Sequence, residues 1–315
     1  MACSRCKLVR WGKHRNGTPR WRCTICGRTR SRERARRPAY GLLKRYLVDG
    51  DTCQQLAENH QVHSDTVRRH LARIFDRAPD LPCFLDIPQP CWLITDATHF
   101  KRWGCLLVTK ATGVKQPLAV SFHDSECLQT TLKHLEPLKN LSVSGYTTDG
   151  KKGLVLAHQQ LFPDAGHQRC LVHIRMKVQT LLTSHPRVPG GRELRQLSAR
   201  LTQIKSTDAA QIWWTDFCNW QSEYQLVLVA RTHQGKSWWY THRNLRYAWK
   251  HILNAADSLF VFLAYPNSVS NTNHLEGLFG QRKPALTRHR GLSRKKVANA
   301  LLWTFYLLNQ KPRVS

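Results

Sequence analysis

Of the 20 acidic residues in this 315-residue chain, three stand where chemistry would need them. Asp96 runs straight on from the apolar stretch Trp92-Leu93-Ile94-Thr95. Asp149 ends the stretch 142–148 and precedes Gly150. Glu276 lies in SNTNHLEGLFGQRKPAL, where Thr272 or Asn273 can cap a helix ending near Pro284. On that helix Leu275, Leu278 and Phe279 make one apolar stripe, while Glu276, Gly280 and Lys283 share a neighbouring face. The stripe can pack on a sheet while Glu276 points at strand ends, with Lys283 placed to meet a phosphate. Three carboxylates suit phosphodiester chemistry, in which two Mg²⁺ (or Mn²⁺) ions about 4 Å apart clamp the attacking and leaving oxygens. Such hard cations keep several waters, so few protein ligands suffice. Taken singly, each acid has a plainer reading: a strand-end Asp as turn former or cap, and Glu276 as a surface residue.

A second constellation is built from thiols. Cys3-x2-Cys6 and Cys23-x2-Cys26 have the spacing of a tetrahedral four-thiolate zinc site. Such a site leaves no open position for water, so the Zn²⁺ is structural. Gly27 follows the second pair, and Asn16-Gly17 supplies a hairpin turn between them. Residues 1–30 read as a zinc ribbon, too small to hold a core without metal.

Other elements must position these groups. Residues 92–95, 104–110, 117–122, 142–148 and 167–173 read as strands, with helices over 127–138 and 152–162. Three strands, helix, strand, helix, strand is the order of a ribonuclease-H-like α/β core. In such a sheet the strands ending at Asp96 and Asp149 lie side by side. Residues 187–255 read as helical and carry Trp213, Trp214, Trp220, Trp238, Trp239 and Trp249. These tryptophans are either core or a platform for unstacked bases, with Trp238-Trp239 beside Lys236 the candidate pair for DNA. A final helix follows Gly291, with Val297, Leu301, Phe305 and Leu308 as its buried stripe and Arg294, Lys295 and Lys296 turned to solvent or phosphate.

Ahead of the core, residues 40–76 form three helical segments. Leu56, Ala57, Val62, Val67, Leu71 and Ile74 fall at core spacing for a helix-turn-helix, with Ser64 as cap of its second helix. Asp65, Thr66, Arg68 and Arg69 face outward near the start of that helix, where base edges and phosphates would be met. The stretch from Arg28 to Arg37, containing Arg34, Arg36 and Arg37, is a basic tether suited to a phosphate backbone or minor groove. Four prolines between Arg77 and Pro90 mark a linker. The expected organisation is a ribbon and tether (1–37), a helix-turn-helix (38–77), a linker (78–91), the first part of the core (92–186), a Trp-rich helical insertion (187–265), and the C-terminal helices of the core (266–315).

Charge narrows the partner. Lys+Arg number 49 against 20 Asp+Glu, a net +29. That excess points to nucleic acid. Residues 1–48 hold fifteen Lys+Arg and one acid, a local +14. No run approaches the ~18 apolar residues of a membrane span, and the first residues lack the apolar core of a signal peptide. A soluble cytoplasmic protein without a membrane partner is expected.

Together these blocks resemble the DDE transposases of the Mutator-like class found in bacterial insertion sequences and related eukaryotic elements. The resemblance rests on Thr95-Asp96-Ala97-Thr98-His99-Phe100, Thr148-Asp149-Gly150-Lys151-Lys152-Gly153-Leu154, Gln168-Arg169-Cys170-Leu171-Val172-His173, and Ser270-Asn271-Thr272-Asn273 with Glu276. It covers about Trp92 to Asn309. By this resemblance Asp96, Asp149 and Glu276 are the catalytic triad, and Cys170 and His173 match a Cys-x-x-His signature with a structural or positioning role. One departure is Met176 after Arg175, where the family often has Arg-Asn. The resemblance implies metal-dependent DNA cleavage and strand transfer, with transposon terminal repeats and target DNA as partners. It also implies a homodimer or higher oligomer on DNA and a nucleoid-associated bacterial location. A transposase-derived regulator without catalysis and a nuclease on the same core are the alternatives.

Overall fold

The computed structural model describes residues 7–15, 17, 19–31, 40–81, 87–100, 103–275, 277, 279 and 292–309. Of the residues singled out above, Cys3, Cys6, Asn16, Arg34, Arg36, Arg37, Glu276, Leu278, Gly280 and Lys283 lie outside the described residues. The chain divides into two units, Met1–Ile74 and Phe75–Ser315.

In the first unit, alternation of polar and aromatic residues yields an antiparallel meander of β1 (Leu8–Lys13), β2 (Pro19–Cys23) and β3 (Thr29–Ser31). The Arg22 guanidinium lies 4.6 Å from the Trp11 ring centre. Next come α1 (Tyr40–Lys44), a π-helical turn (Arg45–Asp49), α2 (Cys53–Asn59) and α3 (Ser64–Ile74). Thr52 and Gln55 form a reciprocal capping box on α2. Leu43, Leu47, Leu56, Ala57, Val67 and Leu71 are buried. Val62, expected in this core, is exposed because it sits in the turn between α2 and α3. Ser64 is the first residue of α3 rather than its cap, and His63 Nδ1 accepts the Asp65 N–H.

The second unit is mixed α/β. β4 (Cys91–His99), β5 (Cys105–Ala111) and β6 (Ala119–His123) form an antiparallel meander. α4 (Leu128–Leu135) leads to β7 (Val143–Thr148), which pairs parallel to β4. α5 (Lys152–Leu161) leads to β8 (Gly166–Arg169), parallel to β7. The sheet order is β6-β5-β4-β7-β8. Side chains alternate along each strand. One sheet face presents Leu93 and Tyr146 to a core with Leu135, Leu138, Ala157 and Phe162. Within this side runs a buried polar chain: Thr95 meets His158 (3.0 Å) and Thr109 (2.9 Å), and His134 joins Thr109 (2.9 Å) to Ser121 (2.6 Å). The opposite face carries Trp92, whose ring lies where a Cβ on Gly145 would stand, 2.1 Å away. Its Nε1 donates to Thr147 Oγ1 at 2.8 Å.

The expected fifth strand is shorter than its apolar run. β8 stops at Arg169, and α6 (Leu171–Leu182) begins after Cys170, because Leu171, Ile174, Val178 and Leu182 recur at helical spacing and are buried. The insertion contains α7 (Pro189–Arg200), α8 (Thr207–Glu223) and α9 (Gln225–Val229). It then departs from the all-helical expectation. β9 (Arg231–Gln234) and β10 (Ser237–Tyr240) form a hairpin closed by Gly235, at φ +57°, and Lys236. α10 (Arg243–Leu253) follows. Trp213 and Trp220 are core, their indole N–H groups donating to Leu197 O and Gly190 O. Trp214 and Trp249 pack partly against the same core.

The last helix, α11 (Arg294–Asn309), buries Val297, Leu301 and Phe305, while Leu308 stays exposed. Two of its three leading cations are paired, Arg294 with Asp124 and Lys296 with Asp76 at 3.3 Å, while Lys295 is exposed as expected. Among the described residues no helix is long and apolar enough to cross a membrane.

Candidate active site and nucleic-acid interface

Strand pairing brings two of the three acids together. In the β4–β7 register Leu93 faces Tyr146 and Ile94 faces Thr147. Continued by two residues, this register would set Asp96 against Asp149, roughly 5 Å apart between backbones, and the two side chains interact electrostatically. Asp96 lies inside β4, which continues to His99. It is therefore held by strand backbone on both sides, and its side chain shares the face of Trp92. Gly150, at φ +86°, makes the turn after Asp149 and leaves room for Arg169, whose Nε would lie 2.2 Å from a Cβ there.

Asp96 is only 5% exposed. Burial raises its pKa to about 6, against the pull of nearby His173, and the Asp149 charge raises it further. Its Oδ1 accepts the Ala97 N–H at 2.8 Å, and the Thr272 hydroxyl also supports it. Asp149 Oδ1 accepts the Lys151 N–H at 2.9 Å, and Lys151 Nζ stands 3.4 Å from its Oδ2.

Cys170 and His173 meet at the same place. Cys170, buried at the start of α6, accepts from the Thr272 N–H (3.4 Å) and hydroxyl (3.6 Å). His173 Nδ1 lies 3.5 Å from the Thr272 hydroxyl. The hydrogen bond with Cys170 raises the His173 pKa to about 9, helped by Asp96 and Asp149. Burial opposes the Cys170 thiolate, yet contact with His173 brings its pKa below the ordinary value. The pair puts a positive imidazolium beside two carboxylates.

The segment before Glu276 is pinned to this corner. Thr147 Oγ1 donates to Val269 O (2.7 Å), and the Leu171 N–H to Ser270 O (2.9 Å). Asn273–Leu275 are helical, and Leu275 and Phe279 are buried as their stripe requires. The stretch leading to Glu276 thus starts at Thr272, in contact with Asp96. Among the described residues no three His, Cys, Asp or Glu side chains form a metal-holding group.

Sequence reasoning missed one acid here. Glu126, its side chain 4% exposed, accepts from Lys151 Nζ at 2.6 Å and meets His99 Nε2 at 3.0 Å. Its Oε1 has no hydrogen-bond partner among the described residues, nor does the half-buried Arg169 Nε. Burial alone would lower the Lys151 pKa, but Glu126 and Asp149 raise it, so the ammonium stays charged. No local spacing signals Glu126, since its partners come from β4 and from the turn after β7.

In the first unit, Cys23 is buried and Cys26 exposed. The Gly27 N–H bonds Cys23 O at 2.9 Å with Gly27 at φ +70°, turning the chain between the two thiols. The Thr24 N–H bonds Lys7 O at 2.9 Å, so the residue after Cys6 lies beside this turn. On α3, Asp65, Thr66, Arg68 and Arg69 are all exposed. Arg68 bonds Asp65 Oδ1 at 2.8 Å, and Arg69 Nε donates to Asp65 O at 3.2 Å.

The family model for the Mutator family of transposases matches residues 105–278, 174 of 315 residues. The matched span includes Asp149, Cys170, His173 and Glu276 and begins after Asp96. No curated protein matches the chain.

Proposed function

Since the chain belongs to the Mutator family of transposases, we propose that it binds the terminal repeats of its element, cleaves a strand by metal-dependent hydrolysis, and joins the freed 3′ end to target DNA. The observation that carries the catalytic part is the β4–β7 register, Ile94 facing Thr147, which carried on by two residues would set Asp96 beside Asp149 on neighbouring interior strands. The order β6-β5-β4-β7-β8 supports reading the sheet as a ribonuclease-H-like core. The donor set fits Mg²⁺ or Mn²⁺: hard carboxylate oxygens from Asp96 and Asp149, with Glu276 following the segment that touches Asp96. When bound, two such ions supply activation of the attacking oxygen and stabilisation of the departing one.

The chain's own residues do the rest. The Ala97 N–H and Thr272 hydroxyl orient the Asp96 carboxylate, and the Lys151 N–H orients Asp149. Arg169, in electrostatic contact with Asp149, adds a cation beside the carboxylates. The Cys170 sulfur and the Thr272 hydroxyl hold the His173 ring close to where the scissile phosphate would lie. Cys170 and His173 position and do not attack.

The turn at Cys23–Cys26 and its bond to Lys7 fit a structural Zn²⁺ completed by Cys3 and Cys6. Thr66, Arg68 and Arg69 on α3 would meet the terminal repeat, with Arg34, Arg36 and Arg37 following the backbone as a tether and Lys283 on phosphate. Pairing two element ends calls for a homodimer or larger assembly. The test uses Asp96→Ala, Asp149→Ala and Glu276→Ala proteins on end-containing DNA with Mg²⁺. Each should bind DNA and neither nick nor join it. Full cleavage by any one removes that residue from the triad, and cleavage without joined product by the unaltered protein makes it a nuclease.

A further inference from the structure

The insertion completes its core with Trp213 and Trp220 and still leaves two tryptophans outside. Trp238 and Trp239 on β10 are 47% and 42% exposed. Neighbours on a strand point to opposite faces, so the hairpin shows an indole on each side. The Arg231 guanidinium lies 4.1 Å from the Trp238 ring centre, and that of Arg246 lies 3.9 Å from Tyr240. These cations hold the rings upright and leave aromatic surface open. A two-stranded hairpin gains little stability from such exposed rings.

Trp239 and Tyr240 form one wall of a groove of about 910 Å³. The other walls come from the segment after α6 and the start of α10, and bring His185, Arg187, His242 and Arg243. No acidic residue is among its lining residues. Arg187 and Arg243 are exposed and, among the described residues, in no ion pair. Open aromatic faces next to unpaired cations suit an unpaired nucleotide: the base stacks and the phosphate meets guanidinium. A duplex offers its bases only edge-on, so the rings would find no partner in it.

α6 leads from the carboxylates to the groove: Cys170 caps its start, and Leu181 and Leu182 at its other end line the groove. A helix of 12 residues is about 18 Å long.

We propose that the β9–β10 hairpin and its groove bind single-stranded DNA, stacking a base on Trp239. Single-strand binding at this groove does not rest on the transposase reading. The probe is a 15-nucleotide oligothymidylate with one 5-iododeoxyuridine, photocrosslinked to the full-length protein and mapped by peptide mass. The crosslink is expected in the peptide containing Ser237–Tyr240. Trp239→Ala should weaken oligothymidylate binding by about 5- to 100-fold. Trp239→Phe should recover most of that, with affinity for a 30-base-pair duplex changed less than about twofold. A crosslink confined to other peptides, or equal weakening on single strand and duplex, overturns the proposal. Trp239-dependent crosslinking by a protein that never cleaves end-containing DNA would keep the groove and remove the transposase reading.

Discussion

Replacing Asp96 by Asn should make the metal-free protein more stable. Asp96 is nearly fully buried, and burial lifts its carboxyl pKa to about 6 from an ordinary 3.8. A carboxyl whose pKa is raised by folding stabilises the fold at low pH. That contribution is lost as pH climbs from 3.8 through 6. At pH 7.5 the difference corresponds to about 3 kcal/mol of unfavourable ionisation. Asn has the same shape, no charge, and an oxygen that can keep the Ala97 N–H bond. In urea unfolding with EDTA at pH 7.5, Asp96→Asn should therefore exceed the unaltered protein by up to about 3 kcal/mol, with the two converging near pH 4. Mg²⁺ should invert the order. At one thousand times its dissociation constant a ligand adds about 4.1 kcal/mol, which only the protein with an intact carboxylate pair can collect. Equal stabilities in EDTA at pH 7.5, or equal gains from Mg²⁺, would refute the reasoning.

Gly145→Ala should lose about 1–3 kcal/mol in thermal unfolding, because its Cβ would fall 2.1 Å from the Trp92 ring, and Trp92→Leu should return part of the loss. Glu126→Ala, which leaves Lys151 without its 2.6 Å anchor, should slow cleavage about 10- to 100-fold at unchanged DNA affinity; full activity would show that Lys151 needs no such support. Burial lowers the pKa of His134 to about 3 and of His158 and His167 to about 4, so the unfolded chain binds protons that the folded chain refuses. The stability they confer is complete above pH 6.5 and should fall by about 2 kcal/mol per histidine on going to pH 5, read as a drop in urea midpoint.

Much of the core was legible because its signals are local. Apolar runs ending at Asp96 and Asp149 become β4 and β7, and pairing two neighbouring parallel strands fixes which side chains meet. The fifth strand was overdrawn because Cys170-Leu171-Val172-His173 is apolar enough for either state. What decides it is the burial of Ile174, Val178 and Leu182 at helical spacing farther along. The hairpin was misread for the opposite reason. Arg231–Tyr240 is short and flanked by helices, and only Gly235-Lys236 marks its turn. Glu126 was invisible, since its burial comes from partners 25 and 27 residues away. The paired state of Arg294 and Lys296 likewise depends on Asp124 and Asp76, more than 150 residues earlier.

The central claim is that Asp149 and Asp96 together hold the metal for strand cleavage and joining. Asp149→Cys tests it most directly, because a thiolate is a poor ligand for Mg²⁺ and a better one for Mn²⁺. On end-containing DNA the variant should be inactive with Mg²⁺ and regain cleavage and joining with Mn²⁺. Unimpaired cleavage by Asp149→Cys in Mg²⁺ would contradict the account.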